Sequence, residues 1–254
     1  MGLTRLDYDS PSWGWLGGSF DPPHQGHLAL AHAAKLALGL DQLRFMPTGQ
    51  SWQKQSEQAD SRQKRPDTQQ RLEMLKRLIP LEDRAHFDID TREIERFAAT
   101  HTPTYTIDTV KELERQHADK RRILILGADQ LRNLASWKSY QELLNHTHLA
   151  VTTRPGFGLQ DLPAPVEALV RDFGSDSLPW TSHGRIVFFA MSPVPMSSTL
   201  LRTELAAVQT LSADRLGASF EAATLERFLG KPLLDYILDQ GLYRPAGLNS
   251  RIDP

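Results

Sequence analysis

Trp13 to Leu16 is a short apolar run that stops at Gly17-Gly18, the pattern of a buried strand entering a tight loop. From Gln25 to Leu38 the apolar residues Leu28, Leu30, Ala31, Ala34, Leu36 and Leu38 recur with helical spacing, and Gly39 supplies a stop. Leu43 to Met46 reads as a second strand closed by Pro47. The polar run from Gly49 to Arg65, dominated by Gln, Lys, Ser and Asp, predicts a mobile surface loop. Asp67 with Gln70 three positions on forms a capping-box start for a helix that carries Leu72, Leu75, Leu78 and Ile79 on one face, a face expected to pack on the sheet.

Further along, Ile123 to Leu126, Leu149 to Thr152 and Ile186 to Phe189 are continuous apolar strands with helical patterns between several of them. This alternation predicts an α/β fold, a Rossmann-like, doubly wound parallel sheet, with two or three C-terminal helices ending near Gly241. Residues 1–12 are polar and carry Pro11, which reads as a flexible N-terminus. The stretch 155–182 is rich in Pro, Gly, Asp and Ser around a short apolar patch, the composition of an insertion or long connection. The chain shows no internal repeat, and one domain spanning 1–254 is the default for its 254 residues.

Charge narrows the partners. With 29 basic and 31 acidic residues the formal charge is -2, so there is no global basic excess of the kind that announces nucleic acid. The absence of cysteine removes disulfides and thiolate-bound zinc and agrees with a reducing, cytoplasmic setting. No stretch approaches the roughly 20 apolar residues that cross a bilayer, so no membrane partner is expected. Self-association is left open.

Gly17 to Leu28 spells GGSFDPPHQGHL between a strand and a helix, the setting in which a loop can bind phosphate. Gly17 and Gly18 let backbone approach a bulky anion, and the helix that follows offers unpaired N–H groups and the positive end of its dipole. His24 and His27, three positions apart, can point the same way from a helix start and donate to one polyphosphate. Gly26 between them keeps the turn clear of a side chain that would occupy ligand space. Asp21 beside Pro22 is equally a turn former, and its role is open.

Met196 to Arg202 reads MSSTLLR after the Pro193-Val194-Pro195 turn, so Ser197 or Ser198 can cap a new helix. Hydroxyls, backbone N–H groups and the guanidinium of Arg202 one turn on make a second phosphate-binding set, and the planar fork of arginine can hold two oxygens. Alone, either motif is as well explained by an ordinary turn or cap. Together, a glycine and histidine loop at the first strand and a C-terminal S-S-T-x-x-R helix start resemble the HxGH nucleotidyltransferase superfamily.

Within that superfamily the chain resembles the nicotinate-nucleotide adenylyltransferases from about Trp13 to Arg244. Thr102-Pro103-Thr104-Tyr105-Thr106, Gly127-Ala128-Asp129, Trp137, Arg154-Pro155-Gly156, Tyr236-Ile237 and Gly241-Leu242-Tyr243 all look like family landmarks. The resemblance implies adenylyl transfer from ATP, accompanied by Mg2+, to nicotinate mononucleotide. His24, His27 and Arg202 would be the catalytic donors, while Gly17, Gly18, Ser19, Phe20, Gly26, Lys54, Gly127, Asp129, Ser198 and Thr199 would bind ATP. Tyr105, Thr106, Trp137 and Arg154 would form the acceptor side, the aromatic rings stacking on the pyridine. No protein-held metal is implied. Lys138 follows Trp137 where an aromatic can occur, and residues 1–12 and 155–182 exceed the compact family core.

Other readings remain at this level. A same-fold adenylyltransferase acting on nicotinamide mononucleotide or phosphopantetheine would share the phosphate motifs, and acid and amide differ by one carboxylate that backbone N–H groups can select. A non-catalytic ATP-binding regulator would more naturally have lost His24, His27 or Arg202, and all three are present. A tRNA-binding module would want a basic face that the charge balance does not provide.

Overall fold

The computed structural model describes residues 6–7, 9–49, 63–153, 162–210 and 220–246. The chain divides into two compact units.

The first unit is Met1–Gly18, Ala29–Trp52 and Glu82–Pro193. It contains the strands β1 (Ser12–Gly18), β2 (Gln42–Pro47), β3 (Phe87–Ile89), β4 (Arg121–Gly127), β5 (His148–Thr153) and β6 (Ile186–Ala190). They form a six-stranded sheet in the order β3-β2-β1-β4-β5-β6, and every neighbouring pair is parallel. The chain therefore starts at the sheet centre, works to one edge and returns beside β1 to build the other half, the doubly wound order that the alternating pattern predicts.

Strands in such a sheet are covered on both faces, which is why they read as unbroken apolar runs. Ile123, Ile125, Leu149, Ala150 and Val151 are all at most 1% exposed. The polar strand ends escaped that signal. Arg121 and Arg122 pair with Ser12 and Trp13 in the β1–β4 register, and Arg122 is 1% exposed because its guanidinium donates to the carbonyls of His146 at 2.8 Å and His117 at 3.0 Å. β3 was not anticipated either, since Phe87-Asp88-Ile89 is an edge strand too short to show a period.

The helices of this unit are the later turns of α1 (Gln25–Leu38), then α3 (Arg92–Thr100), α4 (Thr106–Gln116), α5 (Ala128–Arg132) and α6 (Ala164–Phe173). α1 stops as expected at Gly39, whose φ of 60° is a conformation that glycine adopts at no steric cost. α6 lies within the stretch expected to be an insertion, and its Val166 and Val170 join Trp15, Leu124, Val151 and Leu113 in one apolar cluster.

The second unit is Ser19–Leu28, Gln53–Leu81 and Val194–Pro254. It holds α2 (Thr68–Leu78), α7 (Ser198–Val208), α8 (Phe220–Leu229) and α9 (Lys231–Asp239), together with the first turn of α1. The capping box at the start of α2 is present: the Gln70 N–H donates to Asp67 Oδ1 at 2.8 Å, and the Asp67 N–H donates to Gln70 Oε1 at 3.0 Å. α2 packs on α9. Its buried side chains are Met74, Leu75, Leu78 and, against the apolar pattern, Arg71. Among the described residues no helix is long and apolar enough to cross a membrane.

Candidate active site

Two motifs far apart in the chain meet inside the second unit. Arg202 Nη1 donates to the carbonyl oxygen of Asp21 at 2.8 Å, and the Ser198 hydroxyl donates to the carbonyl of Pro22 at 2.9 Å. Ser197 is the cap of α7, its hydroxyl accepting from the Leu200 N–H at 3.2 Å, which frees the Ser198 hydroxyl for the loop. The other arm of the Arg202 fork donates to Thr199 Oγ1 at 3.0 Å. Arg202, 8% exposed, thus spends its planar geometry on joining the loop to the helix start.

The imidazoles are set by the turn that carries them. His24 precedes α1 and accepts the Gly26 N–H on Nδ1 at 3.1 Å; His27, in the first turn, accepts the His24 N–H on Nδ1 at 3.1 Å. A ring nitrogen that accepts carries no proton, so the ring N–H of each is assigned to Nε2. Both rings then present a donor, with centroids 3.9 Å apart. Burial lowers His24 from 6.5 to about 4, so it is neutral at pH 7 and donates without bringing a charge.

Gly26 lies directly against the ring of His24. A Cβ there would lie 2.8 Å from His24 Nδ1 and 2.9 Å from Cε1, so the space is taken by the histidine ring itself. Phe20 stands edge-on to His27 at 5.0 Å and is 1% exposed. Its φ of 49° is left-handed, a strain of about 1–3 kcal/mol for a bulky residue that the surrounding packing must hold.

Asp21 is the centre of contacts that local pattern did not reveal. Its carboxylate accepts from the Tyr243 hydroxyl at 2.7 Å and from Arg65 Nη1 at 3.1 Å. Burial, then the adjoining Asp21, push the Tyr243 phenol well above its usual range, so it stays a donor. Arg71, 8% exposed, donates to the Ser19 carbonyl at 3.0 Å. Burial lowers its guanidinium, and Asp21, Tyr243 and Asp67 work against that shift. The loop is thus met by three guanidinium groups, Arg65 on the Asp21 carboxylate, Arg71 on the Ser19 carbonyl and Arg202 on the Asp21 carbonyl, against the single carboxylate of Asp21, a local excess of positive charge suited to an anion. Tyr243 was legible only as a landmark near the end of the chain; Arg65 and Arg71 carried no signal, because nothing local links them to a loop some fifty residues earlier.

The remaining candidates lie in the first unit or outside the described residues. Gly17 and Gly18 end β1, and Gly18 accepts the Thr48 N–H at 2.9 Å. Gly127 ends β4 and caps α5, donating its N–H to Gln130 Oε1 at 2.7 Å. Asp129 follows in the first turn of α5 with a mostly exposed side chain, 3.5 Å from Arg132. Tyr105 caps α4, Thr106 begins it, and both Tyr105 and Trp137 pack partly buried on the large apolar cluster. Lys138 places Nζ 4.5 Å above the Tyr105 ring and 3.6 Å from Asp108. Lys54 and Arg154 fall outside the described residues.

Among the described residues no group of three His, Asp or Glu side chains could hold a metal ion. The second-unit loop is instead built of N–H and O–H donors, with Asp21 already engaged, a set that fits phosphate oxygens better than a hard cation.

The cytidylyltransferase-like family model matches residues 15–204. A protein named "Probable nicotinate-nucleotide adenylyltransferase" from Aeromonas hydrophila is 38% identical over 240 residues, covering 93% of this chain and 99% of that one. A protein of the same name from Bordetella avium is 34% identical over 234 residues, covering 92% and 98%. The chain belongs to the nicotinate-nucleotide adenylyltransferase family, within the cytidylyltransferase-like proteins. It is a nucleotidyltransferase, as the pairing of its two phosphate motifs implied.

Solved structures agree on the fold. Plasmodium falciparum nicotinic acid mononucleotide adenylyltransferase complexed with NaAD superposes with a TM-score of 0.63 at 15% identity, covering 92% of this chain and 97% of that one. The same enzyme complexed with APC gives 0.60 at 14% identity, with the same coverage. The Rossmann-like class read from the hydrophobic pattern therefore stands.

Proposed function

We propose that this nucleotidyltransferase joins ATP to nicotinate mononucleotide, giving deamido-NAD and pyrophosphate. The observation that carries the reading is the meeting of the two motifs: Arg202 and Ser198 hold the Asp21-Pro22 turn while His24 and His27 present their Nε2–H groups from the same loop. The acceptor identity is supported by relatives that match nearly the full chain.

The chemistry asks little of covalent catalysis. The 5'-phosphate of the mononucleotide is already a competent nucleophile near neutral pH, and in-line attack on the α-phosphorus of ATP expels pyrophosphate without an enzyme-bound intermediate. The protein must position the two phosphates and stabilise negative charge that grows on the departing oxygens. His24 and His27 serve as donors, not as bases: each Nδ1 is occupied by a backbone N–H, and burial keeps His24 neutral. Ser19, Phe20 and Gly26 shape the loop, and Thr199 with the first N–H groups of α7 adds donors. Arg202 acts through its charge and by holding Asp21. Mg2+ accompanying ATP would offset phosphate charge, while the chain's own donors position the triphosphate. Gly17, Gly18, Gly127 and Asp129 are assigned to the nucleotide, Lys54 with them, and Tyr105, Thr106, Trp137 and Arg154 to the mononucleotide.

Pyrophosphate release from ATP and Mg2+, with nicotinate mononucleotide, nicotinamide mononucleotide and phosphopantetheine supplied separately, tests the proposal. Release with the first at a rate well above the others is expected. Equal rates with the first two would remove the acid specificity, and release with none would leave a nucleotide-binding regulator.

A further inference from the structure

Glu93, in α3, is 4% exposed, and its carboxylate is shared by two hydroxyls that flank Tyr105 in sequence. Thr104 Oγ1 donates to Oε2 at 3.2 Å and Thr109 Oγ1 donates to Oε1 at 2.8 Å. Both threonines are buried, at 6% and 0% exposure. Arg96, one turn along α3, donates to Thr109 Oγ1 at 3.0 Å and pairs with Glu112 of α4, so α3 grips α4 through two neighbouring charges. The α3 backbone is itself held close at this point: a Cβ on Gly49 would clash with the Glu93 carbonyl oxygen, so the chain leaving β2 rests directly on it.

A buried carboxylate is costly unless its lone pairs are met, and burial does push the Glu93 carboxyl upward while Thr109, Thr104 and Arg96 draw it back and Asp90 adds to the rise. Packing alone would be served as well by an apolar side chain. What the acid adds is geometry, since one rigid group ties the residue before Tyr105 and the residue four after it to the same two oxygens. Between those ties Tyr105 caps α4, with its ring against the apolar cluster and under Lys138.

We infer that Glu93 is a positioning residue for the Thr104-Tyr105-Thr106 segment, holding Tyr105 and the start of α4 in the form that receives the acceptor nucleotide. This rests on the reading of Tyr105 and Thr106 as acceptor-facing. Glu93 acts through Thr104 and Thr109 and does not touch substrate.

Steady-state kinetics on the full chain test it with Thr104→Val, which deletes one donor at nearly constant volume, Thr104→Ser, which restores the hydroxyl, and Glu93→Gln. The Val variant is expected to raise KM for nicotinate mononucleotide about fivefold, the scale of one lost hydrogen bond, with KM for ATP and kcat within about twofold and the Ser variant close to the parent. Glu93→Gln should move the same constant in the same direction. A Val variant with both KM values unchanged, or with both raised alike, overturns the inference, the second outcome marking a general structural role. If the unaltered protein uses another acceptor, the failure belongs to the functional reading. The same KM split, measured on that acceptor, still decides the role of Glu93.

Discussion

Arg202 and Asp21 are joined by an Nη1–H···O=C bond of 2.8 Å across 181 residues of chain. The acceptor is a backbone carbonyl, so the contact constrains where the loop runs whatever side chain stands at position 21. The second arm of the fork reaches Thr199, which places one guanidinium between the histidine loop and the start of α7. A lysine cannot hold both partners in fixed directions. Arg202→Lys should therefore lower kcat/KM for ATP by about 10–100-fold while keeping the fold, the scale for losing a buried charged hydrogen bond. A lysine variant with unaltered ATP kinetics would show that charge alone suffices.

His27→Ala should reduce turnover by about 100-fold or more, the range for one transition-state donor, with little change in secondary structure by circular dichroism. His24→Ala should act in the same direction, because the two rings are 3.9 Å apart and present the same ring nitrogen. Normal turnover by either variant would remove that ring from the mechanism.

Gly26→Ala puts a methyl group where the His24 ring sits, within 2.8 Å of Nδ1. The neighbour that must give way is a functional side chain, so activity should fall by at least about tenfold, more than stability does. Comparing kcat with the thermal midpoint separates the two effects. A fully active alanine variant would show that the ring has room to move without consequence.

Tyr243→Phe removes the hydroxyl that donates to Asp21 at 2.7 Å and leaves a half-buried carboxylate oxygen short of one donor. A loss of about 1–3 kcal/mol is expected, equivalent to a few degrees in Tm for a chain of this size. Denaturant unfolding monitored by tryptophan fluorescence measures it. An unchanged midpoint would mean that Arg65 alone satisfies Asp21.

His24 and His148 are both buried, and burial lowers each from 6.5 to about 4. His148 is satisfied as a neutral ring, with Nε2 2.8 Å from the Thr181 carbonyl and Nδ1 accepting the Arg185 N–H at 3.1 Å. Between those pH values the unfolded chain binds the protons and the folded chain does not, so stability rises with pH through the window. The contribution is complete above about 6.5 and is lost as pH falls toward 4. Thermal midpoints should be flat above pH 7 and decline on acidification, and His24→Asn should flatten that decline. A midpoint unaffected between pH 6.5 and 4 would contradict the burial.

Five of the six strands, the capping box of α2, the stop at Gly39 and the order of the two phosphate motifs were legible along the chain. Each depends on residues within a few positions of one another: apolar period, a side chain reaching its own helix start, a glycine free to take positive φ. The short edge strand β3 and the buried Arg121 and Arg122 at the start of β4 were not, since their environment is made by neighbouring strands.

Sequence by itself determined the doubly wound class, the two motifs and the family to which they point, because chain order and local period survive without coordinates. Only the tertiary structure decided what each polar atom bonds to: that Asp21 is held by Tyr243, Arg65 and Arg202, that Gly26 makes room for His24, that Arg71 supports Ser19 and that Glu93 binds the threonines beside Tyr105. Hydrogen bonds act over about 3 Å and depend on direction, so partners distant in sequence are chosen by packing and leave no mark in the local pattern.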